Sequence, residues 1–298
     1  MSAPEINRSL PAVSAADGTP APAGPGGNRR PPRPGRRLPA VAVGLAVIVL
    51  FVLAGLFLSL PFSPVVPDPH STSLPPDGLH WFGTDSNGFD VFARTIASAG
   101  RDLPLALTGT LASLLVGVPL GLLVSSKGRW PERVMRGLDV FQAFPLVIIA
   151  TAIVTLTGNK LQNVILAIMI INIPRFMRLI RSEALAMRES RFIEAAWATG
   201  ATRSRVLVRH ILPNVTGVTL AQSSLAAAQA IIVIAALSFL GVGVSPPNPS
   251  WGLMIQEGAR QITVGQWWVV AFPGLAVLIA VICFNLIADG LLMASEAD

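Results

Sequence analysis

Six long apolar runs constrain the fold of this chain more than any other feature of its sequence. They cover about residues 39–62, 103–125, 138–158, 161–179, 216–244 and 267–293. A helix of about 20 apolar residues spans the hydrocarbon core of a bilayer, and a helix satisfies its own backbone hydrogen bonds there. The sequence therefore predicts an all-α, polytopic membrane protein with about six transmembrane helices. Pro174 and Arg175 interrupt the fourth run, and the fifth run could bend near Gly241 or Gly243.

The composition of the chain supports this prediction. Charged residues make up 13% of its 298 residues, hydrophobic residues make up 52%, and the mean hydropathy is +0.62. An average soluble domain carries roughly 25% charged residues, so a soluble enzyme of this size is excluded. The net charge of +6 does not indicate a nucleic-acid partner, because the basic residues lie in blocks between apolar runs rather than on a polar surface.

The distribution of charge predicts the orientation of the chain. Residues 1–38 are rich in Pro and Gly and predict a disordered tail, which leaves 39–298 as the membrane domain. The first run is too long for the apolar region of a cleaved signal peptide. Of the 22 Lys and Arg residues, 18 fall in the tail, in the 126–137 loop and between Arg175 and Arg209. Positive residues mark cytoplasmic loops, so both of these loops, the N-terminus and, with six spans, the C-terminus are predicted to be cytoplasmic.

The sequence carries none of the motifs of the enzyme classes that use a phosphate loop, a bound metal or a serine nucleophile. It has no glycine-rich phosphate loop with a lysine, no pair of histidines at metal-ligand spacing and no Gly-x-Ser-x-Gly turn. We therefore predict a transport protein without an ATPase site of its own, and without catalytic, cofactor-binding or metal-binding residues.

Two carboxylates, Asp139 and Asp289, lie in or at the edges of the apolar runs. Ionisable groups inside a membrane are functional candidates, so a proton-coupled secondary transporter that uses the two as a relay is one alternative. The other role is structural, because both residues lie close to the predicted cytoplasmic interface, where water or a neighbouring Arg can satisfy the charge. Asp139 could pair with Arg136 or cap its helix. We favour the structural role.

The 180–215 segment is predicted to form two short cytoplasmic helices separated at Gly200, a helix-ending residue. Its candidate site residues are Glu194, Ala195, Ala196, Trp197, Gly200, Leu212 and Pro213. Their order and spacing resemble the EAA loop of binding-protein-dependent ABC importer permeases, although His210 stands where that pattern has Ile. Such a protrusion can receive force from a cytoplasmic partner, with the apolar Trp197 as the anchor of the contact. The alternative is an amphipathic loop that lies on anionic headgroups.

The sequence HWFGTDSNGFDVFAR resembles an external motif of the dipeptide, oligopeptide and nickel group of these permeases. The matching positions are Gly83, Thr84, Asp85, Gly88 and Asp90. Phe89 replaces the usual Arg of the motif. Three further segments resemble the same group, 137–150, 236–258 and 273–291. The resemblance covers about residues 40–293 and is specific to the C-type partner, the second of the two permeases that such importers carry.

This resemblance implies an import function and a set of partners. The chain would be the permease subunit of an ATP-driven importer that carries dipeptides or oligopeptides inward across the bacterial inner membrane, with nickel or another small solute as the alternative substrate. A second, related permease would complete a heterodimer. Two cytoplasmic subunits would bind ATP and Mg²⁺, and an extracytoplasmic solute-binding protein would deliver the substrate. No cofactor is implied for this chain itself, and its remaining partner is membrane lipid.

Overall fold

The chain is helical throughout the core of the computed structural model, which describes residues 37–295. The helices are α1 (Arg37–Phe57), α2 (Val91–Leu123), α3 (Arg129–Gln142), α4 (Leu146–Thr157), α5 (Leu161–Arg188), α6 (Arg191–Ala198), α7 (Arg203–Val206), α8 (Leu212–Asn214), α9 (Thr216–Phe239), α10 (Trp251–Gln261) and α11 (Trp268–Ser295). A π-helical turn, Leu207–Ile211, separates α7 from α8, and a 3₁₀ turn, Ile262–Val264, follows α10. The predicted disordered tail lies almost entirely outside the described residues and stays a prediction.

Five helices are long and apolar enough to cross a membrane, namely α1, α2, α5, α9 and α11. α3 and α4 together pass the same test as a sixth, broken span, although they are bent by 89°. The prediction of an all-α fold with about six spans is therefore confirmed. The first predicted span, 39–62, is too long, since α1 ends at Phe57. The sixth, 267–293, agrees with α11 to within a few residues.

α2 begins at Val91, well before the predicted start of the second span at residue 103. Asp90 caps this helix, because its side-chain Oδ1 accepts a hydrogen bond from the N–H of Ala93 at 2.6 Å and so satisfies a free donor of the first turn. The added turns carry Arg94 and Asp102, each 1% exposed. Charged residues lower the hydropathy of this stretch, although the protein itself encloses them. The predicted start of the second span at residue 103 was wrong because it was set by hydropathy.

The predicted third span, residues 138–158, is not one straight helix. α3 ends at Gln142 and α4 begins at Leu146. Pro145 lies between them and has no N–H with which to continue the helical hydrogen bonds. α4 accounts for the apolar part of the predicted span, whereas α3 is amphipathic, with charged residues along one face.

α5 and α9 also differ from the predicted spans. Pro174 lies inside α5 without ending it, and the helix continues to Arg188 rather than to residue 179. The first short helix predicted in the 180–215 segment is therefore the end of α5 followed by α6. α9 ends at Phe239 instead of bending near Gly241, because Gly241 adopts the left-handed conformation, with φ of 76°, that ends a helix.

The main core forms where α2, α5, α9 and α11 pack together. Its most buried side chains include Leu103, Ile168, Ile231, Ile234 and Leu237. α1 packs on α2 through two glycines, and a Cβ atom on Gly55 would lie 2.2 Å from the backbone N of Gly100. Small residues let helix backbones approach closely. This matters in a membrane because lipid tails are as apolar as large side chains, so burying large side chains between helices gives no hydrophobic gain. α2 thus packs against both α1 and α5.

Candidate functional site

The residues from Arg191 to Asn214 form a protrusion, which we call the coupling segment; it comprises α6, Gly200, α7, the π-helical turn and α8. Its apolar side packs on the C-terminal ends of α2 and α5. The buried contacts are made by Ile193, Val206 and Ile211 of the segment with Leu122 of α2 and with Ile180 and Ala184 of α5. The three segment side chains are at most 1% exposed. An apolar core of its own therefore fixes the segment to two spanning helices.

Gly200 ends α6 in a left-handed conformation, with φ of 79°. Its N–H donates to the carbonyl of Trp197 at 2.9 Å, and the N–H of Ala201 donates to the carbonyl of Ala196 at 3.1 Å. Together these two bonds make the Schellman motif, which satisfies the last carbonyls of a helix and turns the chain away. The predicted break at Gly200 is confirmed.

The other side of the coupling segment faces outward. Of the predicted site residues, Glu194, Ala195, Trp197, Gly200 and Pro213 are exposed, and Ala196 and Leu212 are half-buried. The Trp197 side chain is 42% exposed. A cleft of 720 Å³ opens on the same segment, and its lining includes Phe192, Thr199, Arg205, Arg209 and His210. The structure thus places the predicted residues on one protrusion, whose open side combines small side chains, one indole and positive charge.

His210, the departure from the family pattern, lies at the edge of this cleft. Its ring is 6.2 Å from the ring of Phe192, and it is half-buried, whereas the next residue, Ile211, is fully buried. A π-helical turn takes one residue more than an α-helical turn. The apolar residue that enters the core is therefore Ile211, the neighbour of the position that carries Ile in the pattern.

The external motif lies at the opposite end of α2. All five matched residues are buried, namely Gly83, Thr84, Asp85, Gly88 and Asp90. Asp85 Oδ1 accepts hydrogen bonds from the N–H groups of Asn87 and Phe89, both at 2.9 Å, and so closes a turn. Besides capping α2, Asp90 places Oδ2 at 2.9 Å from the buried Nδ1 of His80. The motif residues therefore build the segment that leads into α2.

Arg94, one turn into α2, is the centre of a cluster of charges at this end of the helix. Its Nη1 lies 3.3 Å from Asp85 Oδ2 and 3.6 Å from Glu257 Oε2, and its side chain is 2% exposed. Burial raises the pKa of both carboxyl groups, and the Arg94 charge opposes that rise. The guanidinium also lies 4.2 Å from the centre of the Phe89 ring, a cation–π distance. Phe89 therefore provides an aromatic face to Arg94 at the position where the family motif carries a second Arg.

Sequence reasoning missed Arg94, Glu257 and Asp102 as members of a site. Asp102 Oδ2 accepts hydrogen bonds from the hydroxyl of Ser250 at 3.1 Å and from the N–H of Trp251 at 2.9 Å. This carboxylate therefore fixes the start of α10 to α2. The contacts join parts of the chain that are far apart in sequence, so no local spacing indicates them. The signal that the sequence offered for such a site was the position of charged residues at the edge of an apolar run.

The two carboxylates proposed as a proton relay are both exposed. Asp139 Oδ1 lies 2.6 Å from Nη2 of Arg178 in α5. Of the two roles that the sequence left open, the described residues show no pairing with Arg136, and Asp139 lies near the end of α3 rather than at its start, where a carboxylate caps a helix. Asp289 takes part in no ion pair within residues 37–295. In the same part of the chain, no three His, Cys, Asp or Glu side chains are grouped as a metal site requires.

Comparison with known proteins supports the resemblance over most of the chain. Residues 95–297 match the family described as binding-protein-dependent transport system inner membrane component. The chain is 39% identical over 252 residues to the dipeptide transport system permease protein DppC of Alkalihalophilus pseudofirmus, which covers 84% of this chain and 83% of that protein. It is 36% identical over 256 residues to a putative peptide transport system permease protein of Brucella suis, with 84% of each chain covered.

The name of a third relative refers to a different substrate, glutathione. The chain is 36% identical over 257 residues to the glutathione transport system permease protein GsiD of Pectobacterium atrosepticum, which covers 85% of this chain and 84% of that protein. The family match includes the whole coupling segment and most of α2.

Proposed function

Because the chain belongs to the family of binding-protein-dependent transport system inner membrane components, we propose that it is the permease subunit through which an ATP-driven importer carries short peptides inward. It is the multi-pass membrane component of such a system, and ATP hydrolysis belongs to partner subunits. The observation that carries the proposal is the coupling segment, an exposed protrusion fixed to α2 and α5 by the buried side chains of Ile193, Val206 and Ile211.

The packing of the coupling segment supports a mechanical role. Protein interiors are close-packed and transmit displacement rather than absorb it. Movement of an ATP-binding subunit against the segment would therefore shift the cytoplasmic ends of α2 and α5. The Schellman turn at Gly200 keeps α6 compact during this movement. Displacement of the two helix ends would open the pathway to the inside, while the external cluster around Arg94 holds the other end of α2.

The open side of the coupling segment has the chemistry of a protein contact. Trp side chains dominate the energy of many interfaces when they insert into a pocket of the partner. Trp197 is available for such a contact, and the small side chain of Ala195 permits close approach. Arg205 and Arg209 line the adjacent cleft, so the surface of the ATP-binding subunit that faces the cleft is expected to be acidic.

The family also determines the partners in outline. Dependence on a binding protein implies an extracytoplasmic solute-binding protein and an ATPase as partners. We infer in addition that a second, related permease completes a heterodimer, and that two ATP-binding subunits contact the pair. The N-terminus, the coupling segment and the C-terminus would face the cytoplasm, because 18 of the 22 basic residues fall on that side.

The substrate is proposed from the relatives. The names of these relatives refer to dipeptides, peptides and glutathione. The chemistry that these substrates share is that of a short peptide. Nickel or another small solute is the alternative. Uptake of labelled dipeptides, glutathione and a nickel chelate by the reconstituted importer would separate these substrates. Uptake of the nickel chelate alone would contradict the peptide proposal.

Trp197→Ala in the complete reconstituted importer tests the coupling role. We expect ATP-driven uptake to fall by on the order of 10-fold or more, because loss of a central Trp at an interface costs roughly 2 kcal/mol or more. The variant should still insert into the membrane. Its unfolding temperature should equal that of the unchanged protein, since Trp197 lies outside the buried core. Trp267→Ala is the matched control, because this Trp is 57% exposed and precedes α11 far from the coupling segment. Unchanged uptake in Trp197→Ala would contradict the proposed contact.

A further inference from the structure

α3 separates its charged and apolar residues more sharply than the coupling helix α6 does. Its charged residues are Arg129, Glu132, Arg133, Arg136 and Asp139. Its apolar residues are Trp130, Pro131, Val134, Met135, Leu138, Val140 and Phe141. At 3.6 residues per turn, all of the apolar residues except Val140 fall on one face, and the charges share the opposite face with Val140.

The protein covers only part of the apolar face of α3. Pro131 is buried, and most of the other apolar residues on this face are half-buried. α5 approaches from one side, where Nη2 of Arg178 donates to Asp139 Oδ1 and Gln142 Oε1, both at 2.6 Å. Trp130 is 63% exposed on the apolar face. One edge of that face is therefore left open by the rest of the described chain.

The bend after α3 places this open edge beside the membrane. α4 leaves α3 at 89°, so α3 runs along the plane of the membrane when α4 enters the membrane along its normal. The apolar surface continues across the bend, because Phe144 is 59% exposed and Ile148, in the first turn of α4, is 61% exposed. A continuous apolar surface that joins a membrane-embedded helix to an in-plane helix is suited to contact with lipid.

The three arginines on the charged face of α3 have no carboxylate partner within the described chain. Arg129, Arg133 and Arg136 are exposed, and within the described chain none of the three lies in ion-pair distance of a carboxylate. Basic residues on an amphipathic helix at the cytoplasmic surface attract anionic headgroups, by roughly five-fold in local concentration for each residue. These arginines have the position and the free charge that such a contact needs.

We propose that α3 is an interfacial helix that binds anionic phospholipid headgroups at the cytoplasmic surface of the membrane. Trp130 and the apolar face enter the headgroup and acyl boundary, and the three arginines pair with lipid phosphates. The ion pair of Asp139 with Arg178 holds the helix against α5 in this position. The cytoplasmic side rests on the proposed orientation, whereas the contact with lipid rests on the geometry of α3 and α4.

Fluorescence quenching of the full-length chain in vesicles tests the proposal. In a Cys283→Ser background, an environment-sensitive probe is attached through Trp130→Cys on the apolar face or through Val140→Cys on the charged face. We expect brominated lipid chains to quench the probe at position 130, and aqueous iodide to quench the probe at position 140. Equal access of iodide to both positions would overturn the proposal.

The preference for anionic lipid is measured with the probe at position 130. Brominated phosphatidylglycerol should quench it more strongly than brominated phosphatidylcholine. Neutralising Arg129, Arg133 and Arg136 together, each to Gln, should reduce the phosphatidylglycerol preference by on the order of 10- to 100-fold. The matched control neutralises Arg191, Arg205 and Arg209, which removes the same charge from the coupling segment and should leave the preference unchanged. Equal loss in both triple variants would overturn the proposal, as would loss of lipid quenching when the ATP-binding subunits are added.

Neither measurement depends on transport. The quenching results can therefore fail while ATP-driven uptake persists, and uptake can fail while α3 still binds lipid. The two proposals are tested separately.

Discussion

Gly200 holds the end of α6 in a backbone conformation that few other residues adopt readily. A Cβ atom added there would meet nothing within 4 Å, so substitution causes backbone strain without a steric clash. Gly200→Ala should lower the free energy of unfolding by about 1–2 kcal/mol, measured by denaturant unfolding in detergent. Gly200→Asn should lower it less, because Asn tolerates the left-handed region. An equal loss in the two variants would show that the conformation at Gly200 does not determine the cost.

The carboxyl group of Glu257 provides a test by pH. Burial raises its pKa, so the folded protein holds the proton more tightly than the unfolded chain does. Ionisation of Glu257 therefore costs folding free energy. The cost is absent well below the ordinary carboxyl pKa of about 4.3, grows as the pH rises above that value, and is complete above the raised pKa of the folded protein.

Glu257→Gln stays neutral and should gain stability relative to the unchanged protein as the pH rises from about 4 to 7. The measurement is the difference between the two unfolding midpoints at each pH. Glu189→Gln is the control, because Glu189 is 72% exposed and pairs with Lys127, which is 82% exposed, so burial gives no reason for its difference to change with pH. Parallel profiles for Glu257→Gln and the unchanged protein would contradict the role of burial.

At the scale of helices, the features that depend on neighbouring residues could be predicted from the sequence. Apolar runs indicate a spanning helix because bilayer thickness fixes their length. The spacing around Gly200 indicates a helix end because the Schellman motif needs only neighbouring residues. The start of α2 could not be predicted in this way, since Arg94 and Asp102 are enclosed by distant parts of the chain. Pro145 indicates a kink in the third predicted span, but the angle of 89° between α3 and α4 could not be predicted, because hydropathy does not report the direction of a helix.

Neutralising Asp139, which forms the ion pair between α3 and α5, together with Asp289 distinguishes an ATP-driven importer from a proton-coupled transporter. Asp139 and Arg178 are 61% and 51% exposed, and exposed pairs contribute roughly 0–1 kcal/mol to stability. Asp139→Asn should therefore lower stability by less than about 1 kcal/mol. Combined with Asp289→Asn it should leave ATP-driven uptake intact, because neither carboxylate carries protons in the proposed importer. Uptake that is lost in a stably folded double variant, or that collapses with a protonophore while ATP is maintained, would favour the proton-coupled alternative.

At the scale of the molecule, α2 connects the two candidate sites. Its 33 residues correspond to a length of about 50 Å, more than the hydrocarbon core of roughly 30 Å. The surplus carries Arg94 into its charge cluster and Asp102 to the start of α10 at one end, and places Leu122 under the coupling segment at the other. A single long helix thus contacts both the segment proposed to receive force and the external segment built by the family motif.

This arrangement requires the two ends of α2 to lie on opposite sides of the membrane, with the coupling segment inside. Val66 and Val208 provide a matched pair of sites, 65% and 62% exposed, in the segment between α1 and α2 and in the π-helical turn. In a Cys283→Ser background, an impermeant maleimide should label Val66→Cys in intact cells. It should label Val208→Cys only after permeabilisation, because basic loops are retained in the cytoplasm. Labelling of Val208→Cys alone in intact cells would invert the orientation, and the coupling segment could not then contact a cytoplasmic ATPase.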